Sequence, residues 1–389
     1  MRNFIVFALI MFASIVGYAT QTLSPLGTFA LASIGSTFIE LPKGILAVTF
    51  TTGICEKIQS SLIDIMKQKA PQLNRTKVGY LDFLLSPQNT AGVQVIPIDQ
   101  GNGKKRTVRV KYLQRGLESD IIDDAPEGCT TSLEKEPKET DVDIENYKGT
   151  KGLKFTEDEM RKLCEADSVY INNVIRAEID PLIVSLDKSL IALQATNFGK
   201  FNPDVSPADY KTVNLLYGDR DEPLYIGEKK IITDFENLNA SGRPSLIGSG
   251  KLDDYAMQQK IGCCNDYGVN LAGAGNFDYF NDRFVGSVLG DADKFIAAMP
   301  GYVQLLTWNK YVGTYMKENA TFSHTTLIDP FTGLKFDMKI HYDDCNEFFY
   351  MQFGLWYELF FLPTDAFAYG DELAGVNYTL QYQAAKLSS

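Results

Sequence analysis

The stretch SHTTLIDPFTGLKFDMKIHYDDC, residues 323–345, holds both histidines of the chain, His324 and His341, with Asp329, Asp337, Asp343, Asp344 and Cys345 around them. Imidazole, carboxylate and thiol in one short segment are the donors of a metal centre or of an acid–base pair. Spacing decides between that chemistry and plain architecture. Asp329-Pro330-Phe331-Thr332-Gly333 has turn composition: proline fixes φ, and glycine supplies a conformation that other residues avoid. Beyond it Leu334, Phe336, Met338, Ile340 and Tyr342 alternate with Lys335, Asp337, Lys339 and His341, the period of a half-buried strand. His341 therefore shares a polar face with Asp337 and two lysines, and a cation one step away works against metal binding. The segment reads as a hairpin with a solvated face, and the chain is expected to hold no metal, no cofactor and no catalytic centre.

Other motifs carry no more chemistry. GRPSLIGSGKL (242–252) grazes the phosphate-loop pattern, but Ser245 stands where its first glycine belongs and Leu252 where its hydroxyl residue belongs. Neither histidine lies in a nucleophile context. Two close carboxylates in a pocket, one with a raised pKa, would be the sign of a carboxylate-based hydrolase, and no pair stands out in the sequence. A basic cluster remains: Lys104, Lys105 and Arg106 at the tip of a hairpin, with Arg109 and Lys111 behind them. The chain's net charge of −12 argues against a general nucleic-acid binder, though not against a protein that encloses nucleic acid without gripping it. The five basic residues are read as candidates for intersubunit contact. The six cysteines (Cys55, Cys129, Cys164, Cys263, Cys264, Cys345) show no CxxC and no repeated spacing, so neither a zinc knuckle nor a dense disulfide framework is implied.

The elements that position these residues can be read in order. MRNFIVFALIMFASIVGYATQ has one arginine and an apolar run from Phe4 to Val16, the layout of a secretory signal with a cut after Ala19, or of an apolar arm. Residues 20–50 read as an extended arm, and Ile58, Leu62, Ile63 and Met66 give a helix over 54–66. VQVIPID (93–99) and TVRVKY (107–112), joined by GNGKK, form a hairpin with a mobile tip. The acidic stretch 119–146 reads as an exposed loop or flap. Thr156 and Glu159 form a capping box ahead of a helical pattern that runs to about Ala195, where Pro181 should kink or divide it. Residues 200–300 mix short helices, turns and strands; within them SLIG is a short buried strand and KLDDYAMQQKI a helix. NEFFYMQFGLWYELFFLP (346–363) is a second strand-like run. At 389 residues the chain can bury a large core. Its 12% of aromatic residues suits large contact surfaces.

This order of parts, with GYVQLLTWNKYVG (301–313), LIDPFTGLKFDMKIHYDDC (327–345) and ASGRPSLIGSGKLDDY (240–255), resembles the major capsid proteins of tailed bacteriophages over roughly residues 50–385. The resemblance implies an α+β chain with the HK97-like capsid fold: N-arm, extended β-hairpin loop, long spine helix, peripheral β-sheet domain and α/β axial domain. Mapped onto this sequence, 1–50 is the apolar arm, 51–90 the helical start of the peripheral domain, and 91–150 the hairpin loop with its acidic connector. Residues 151–200 are then the spine helix, 201–300 the axial domain and 301–389 the C-terminal peripheral strands. The implied function is a coat protein that self-assembles through hexamers and pentamers into an icosahedral shell around double-stranded DNA. It would be a virion component assembled in the host cytoplasm, without enzymatic activity and without a membrane. Its further partners would be scaffolding, portal or decoration proteins. The alternative, which takes the first twenty residues as a signal peptide, is a secreted or periplasmic structural or binding protein.

Overall fold

The computed structural model describes residues 77–90, 93–98, 106–112, 137–156, 158–159, 162, 168–199, 210–213, 215, 225–240, 242–261, 277–309, 322–329, 332–343, 346–363 and 377–385. The expected arm, the helix over 54–66, Lys104 and Lys105 at the hairpin tip, and all six cysteines lie outside the described residues.

The expected hairpin is present. Strands β1 (Val93–Ile98) and β2 (Thr107–Tyr112) pair antiparallel with Val93 opposite Tyr112 and Ile98 opposite Thr107. The acidic stretch departs from expectation, because part of it is not a flap. Lys138–Asp143 forms β3 on the free edge of β2, with Thr107 opposite Asp143, Arg109 opposite Asp141 and Lys111 opposite Glu139. Charge alone suggested a loop, yet the carboxylates fall every second residue, so all of them reach one face, opposite the cations of β2.

The largest sheet is organised by β13 (Phe348–Phe361), the second strand-like run. Its other strands are β4 (Asn146–Gly149), β5 (Leu153–Thr156), β10 (Val303–Trp308), β11 (Phe322–Ile328) and β12 (Lys335–Asp343). The registers fix which edge each partner takes. Gly354 pairs with both Asp337 and Gly149, Trp356 with both Trp308 and Tyr147, and Met351 with both Ile340 and Leu153. One edge of β13 is therefore covered by β4 and β5, and the other by β12 along its first half and β10 along its second. Between β4 and β5 the register slips by one residue, and Gly152 sits there at φ +100, the mark of a bulge in what is otherwise one strand. The β12 pattern is as expected: Phe336, Met338 and Ile340 are buried while Lys335, Lys339 and His341 are exposed.

Helix α1 (Gly79–Leu84) and the single turn α2 (Pro87–Thr90) precede β1, and the long helix α3 (Ser168–Ala195) follows β5. Thr156 and Glu159 form the expected capping box, the Thr156 N–H donating to Glu159 at 2.8 Å and the Glu159 N–H to Thr156 Oγ1 at 3.2 Å. Pro181 lies inside α3, which is not divided there. It occupies the exposed side of the helix, while Ile179 and Leu182 beside it are buried. The inner stripe of α3, Ile175, Ile179, Leu182, Ile183, Leu186, Leu190 and Ile191, contacts α1, β4 and β13.

The third sheet has the order β6-β14-β9-β7-β8. Its strands are β6 (Lys211–Val213), β7 (Ser245–Gly248), β8 (Tyr279–Asn281), β9 (Lys294–Ala298) and β14 (Thr379–Ala384), accompanied by α4 (Tyr225–Asn237), α5 (Lys251–Ile261) and α6 (Val285–Leu289). The strand–turn–helix expected at 245–261 is β7 and α5. One segment boundary needs correction: β14, at the end of the 301–389 block, leaves the large antiparallel sheet and lies between β6 and β9. Its residues Leu380 and Tyr382 are wholly buried, and Tyr382 stacks on Phe295 at 5.6 Å, so burial of these rings draws the strand into the mixed sheet. One core cluster spans both larger sheets, α1 and α3, and the chain is α+β.

Close approach makes Gly79 sensitive. A Cβ there would lie 2.6 Å from the backbone oxygen of Asn281, whereas one at Gly149 would meet only the ring of Tyr147, which is 52% exposed and can swing away. Gly79→Ala should lower stability by about 1–3 kcal/mol and Gly149→Ala much less, measured by denaturant unfolding of each variant.

Candidate functional site

The histidine segment folds into the β11–β12 hairpin, and its polar residues are used there. Asp329 is buried, and its Oδ2 accepts from the N–H of Thr332 at 2.9 Å and from Thr332 Oγ1 at 2.6 Å. The Gly333 N–H closes the turn on the Asp329 carbonyl at 2.8 Å, with Gly333 at φ +73. His341 stands exposed between Phe322 and Tyr350, and His324 is opposite Lys339. Asp343 accepts from Asn346 Nδ2 at 2.8 Å in the next turn. Among the described residues no group of three or more His, Cys, Asp or Glu is placed to hold a metal ion.

The basic cluster is more informative. Arg106 lies at the base of β2, its guanidinium carbon 3.1 Å from the ring centroid of Trp356 and 5.8 Å from that of Trp308. These are the only two tryptophans of the chain, and they are directly opposed in the β10–β13 register. Tyr147 packs on Trp356 from the other edge at 4.8 Å. The Arg106 carbonyl accepts from the Ile144 N–H at 2.7 Å, so the strand ends of β2 and β3 are closed at the same point. Val108, Val110, Ile144 and Leu306 fill a small apolar cluster beneath, which joins the three-stranded sheet to the large one.

The opposite face of the small sheet is a ladder of directly opposed polar pairs. Thr107 Oγ1 donates to Asp143 at 2.6 Å, Arg109 donates to both oxygens of Asp141 at 2.8 and 3.2 Å, and Lys111 pairs with Glu139. Arg109 also reaches Glu139 at 3.2 Å. The hydrogen bond from Lys111 holds the Glu139 carboxyl below its ordinary range, and that from Arg109 does the same for Asp141. All four are partly exposed, so the ladder sets register and stiffness more than stability. Of the five intersubunit candidates, Arg106 is thus turned into the fold, and Arg109 and Lys111 are paired within the chain.

Two carboxylates that the sequence did not bring forward are raised together. Asp187 and Asp282 are both wholly buried. Burial, then the neighbouring Asp282, push the Asp187 carboxyl up to about 9, and burial raises Asp282 as well. Such a pair is the sign of a carboxylate-based hydrolase; here both carboxyls are wholly buried and accept from backbone N–H groups. The signal for Asp187 was present: it falls on the buried stripe of α3 between Leu186 and Leu190. For Asp282 the local sequence holds none. The phosphate-loop lookalike is also structural, since Lys251 donates to the carbonyl of Ala385 at 2.7 Å. No described helix is long and apolar enough to cross a membrane.

No protein-family model matches the sequence, and no curated protein matches it. Among solved structures the chain is similar to one from Mycobacterium phage Adephagia, at 10% identity and TM-score 0.40 over 82% of this chain and 94% of that one. It is similar to a chain in the asymmetric unit of the bacteriophage PhiM1 mature capsid, at 9% identity and TM-score 0.37 over 72% and 83%. A chain of the Cyanophage A-1(L) capsid asymmetric unit matches at 10% identity and TM-score 0.36 over 80% and 94%. These are phage structures, the latter two capsids.

Because both tryptophans meet Arg106, intrinsic fluorescence reports on the hairpin base. Arg106→Ala should shift tryptophan emission and lower stability by about 1–2 kcal/mol, while Arg109→Ala should leave the emission unchanged and the melting temperature nearly so.

Proposed function

We propose that the chain is a major capsid protein that self-assembles into an icosahedral shell around double-stranded viral DNA. The observation that carries this reading is the order and form of the parts: a hairpin sheet over 93–143, a long helix ending at Ala195, a mixed sheet with three helices, and long antiparallel strands in the C-terminal third. In this reading β1–β3 are the extended loop and α3 the spine helix. The sheet built on β13 is the peripheral domain, and the sheet of β6, β7, β8, β9 and β14 the axial domain. A shell works by geometry. Many copies bury arms and hairpins against their neighbours, and closure makes weak contacts sufficient.

The charged ladder supports the reading because directly opposed ion pairs would stiffen an element that reaches a neighbouring subunit. Lys104 and Lys105, with Arg109 and Lys111 behind them, are the proposed contacts to neighbouring subunits, and Arg106 holds the hairpin at its base. The acidic chain would enclose DNA without sequence-specific grip. Scaffolding, portal and decoration proteins would be its further partners, assembly would take place in the host cytoplasm, and the shell would be the virion capsid.

Expression in the cytoplasm from Met1, and in parallel from residue 20, followed by sedimentation and negative-stain microscopy, tests the proposal. Shells, hexamers or pentamers are expected. A monodisperse monomer that folds only when exported would overturn it in favour of the secreted reading. Exchanging a ladder pair, Arg109→Asp with Asp141→Arg, should preserve the fold by circular dichroism but sharply reduce assembly, since a neighbour would meet reversed charges. Full assembly by the exchanged variant would limit Arg109 to holding the hairpin.

A further inference from the structure

We propose that Asp187 and Asp282 share a single proton and that this proton is a pH-operated latch, fastening the turn before α6 to α3. The roles of the two carboxyls follow from their surroundings. Asp282 is dressed as an anion: its Oδ2 accepts from the Tyr80 N–H and its Oδ1 from the Phe284 N–H, each at 2.8 Å, and the Val285 N–H adds a further donor. Asp187 is dressed as an acid. Its Oδ1 accepts from the Leu81 N–H at 3.0 Å, while its Oδ2 is buried with no other hydrogen-bond partner among the described residues. A proton on Oδ2 supplies the missing bond by donating to the Asp282 carboxylate, and leaves one negative charge where two would stand.

The latch joins segments far apart in sequence. The N–H groups of Tyr80 and Leu81 in α1 go to Asp282 and Asp187 respectively, and Tyr80 Oη donates to Gln194 of α3 at 2.8 Å. Among the described residues, the charged and titratable groups that face the pair do not neutralise it. From α1 come Tyr80 and Asp82, the latter raising Asp187 further. Tyr279 faces Asp282 from β8, and Asp253 binds Tyr279 and Asn281 beyond it. The cations Lys188 and Arg283 lie over the ring of Phe284, 4.6 and 5.0 Å from its centroid. Loss of the shared proton therefore sets two like charges together in the core, and separating the turn before α6 from α3 relieves them.

The sign is opposite to that of an ordinary ion-paired carboxylate. The folded state holds the proton more tightly than the unfolded chain, so the latch is complete below the ordinary aspartate pKa. It weakens steadily as pH rises through neutrality toward about 9, where Asp187 ionises in the fold. Asp187→Asn mimics the protonated acid, with its amide N–H₂ toward Asp282 and its oxygen toward Leu81, and cannot ionise.

The test is urea unfolding of the full chain and of Asp187→Asn from pH 5 to pH 8. The unfolding constant of the parent, divided by that of the variant, should climb by up to about tenfold per pH unit. A ratio that stays flat across this range would overturn the latch. Asp282→Asn is the contrasting variant: it turns an amide toward backbone N–H groups and should be weakened at every pH. Infrared spectra of the parent at pH 7 give an answer that needs no variant to fold. A protonated-carboxyl band is expected, shifting in D2O, and its absence would exclude the shared proton.

Discussion

A strand of fourteen residues presents two full rows of backbone donors and acceptors, and β13 must satisfy both in the middle of the molecule. That requirement shapes the large sheet. No single partner covers either edge: β12 and β10 divide one, and β4 and β5 divide the other around a bulge at Gly152. The partners come from around residue 150 and from after residue 300, so the sheet forms only when distant parts of the chain meet. The point at which β10 takes over from β12 is also where Trp308 and Trp356 are opposed, and where Arg106 fastens the hairpin sheet. The hairpin sheet is thus tied to the most heavily paired strand among the described residues.

Helix α3 plays the matching role on the other side of the core. Its apolar stripe covers β13 and β4, and the same face carries Asp187 and Gln194 to α1. A stripe made wholly of leucine and isoleucine would pack as well but would bind α1 with no preferred register. Two buried polar side chains, each answered by one group of α1, select a single placement. Asn89 does comparable work in α2, donating to the carbonyls of Leu84 and Val303 and accepting from the Gly301 N–H.

Sequence patterns revealed elements whose signal is local. The alternation in 334–342, the turn at 329–333, the capping box at Thr156 and the end of α3 at Ala195 all rest on neighbours a few residues apart, and the structure has them. Long-range decisions left no such trace. The acidic residues of 138–143 look like a solvated loop until Arg109 and Lys111 are seen opposite them, about thirty positions away in the chain. The return of β14 to the mixed sheet depends on the rings of Phe295 and Tyr382, and on β6 and β9 leaving a gap between them. The basic residues were legible as a cluster, but not the turning of Arg106 inward, because both tryptophans that receive it are some two hundred or more residues distant. Asp187 was visible as an acid on an apolar stripe, whereas Asp282 had meaning only once its partners were in place.

The two sets of perturbed carboxylates respond to pH in opposite senses, and this bounds the conditions in which every part is held. Glu139 and Asp141 are kept ionised by Lys111 and Arg109, so their contribution exists above the ordinary carboxylate range and disappears as acid titrates them in the folded sheet. Asp187 is kept protonated, so its contribution is complete in acid and drains away toward about 9. Mild acid near the upper end of carboxylate titration is where both hold. Toward alkaline pH the hairpin ladder stays intact while the turn before α6 loosens from α3, and in strong acid the ladder fails while that turn stays fastened. The hairpin sheet and the interior clasp can therefore be released separately, because one is built on carboxylates that face cations and the other on carboxylates that face each other.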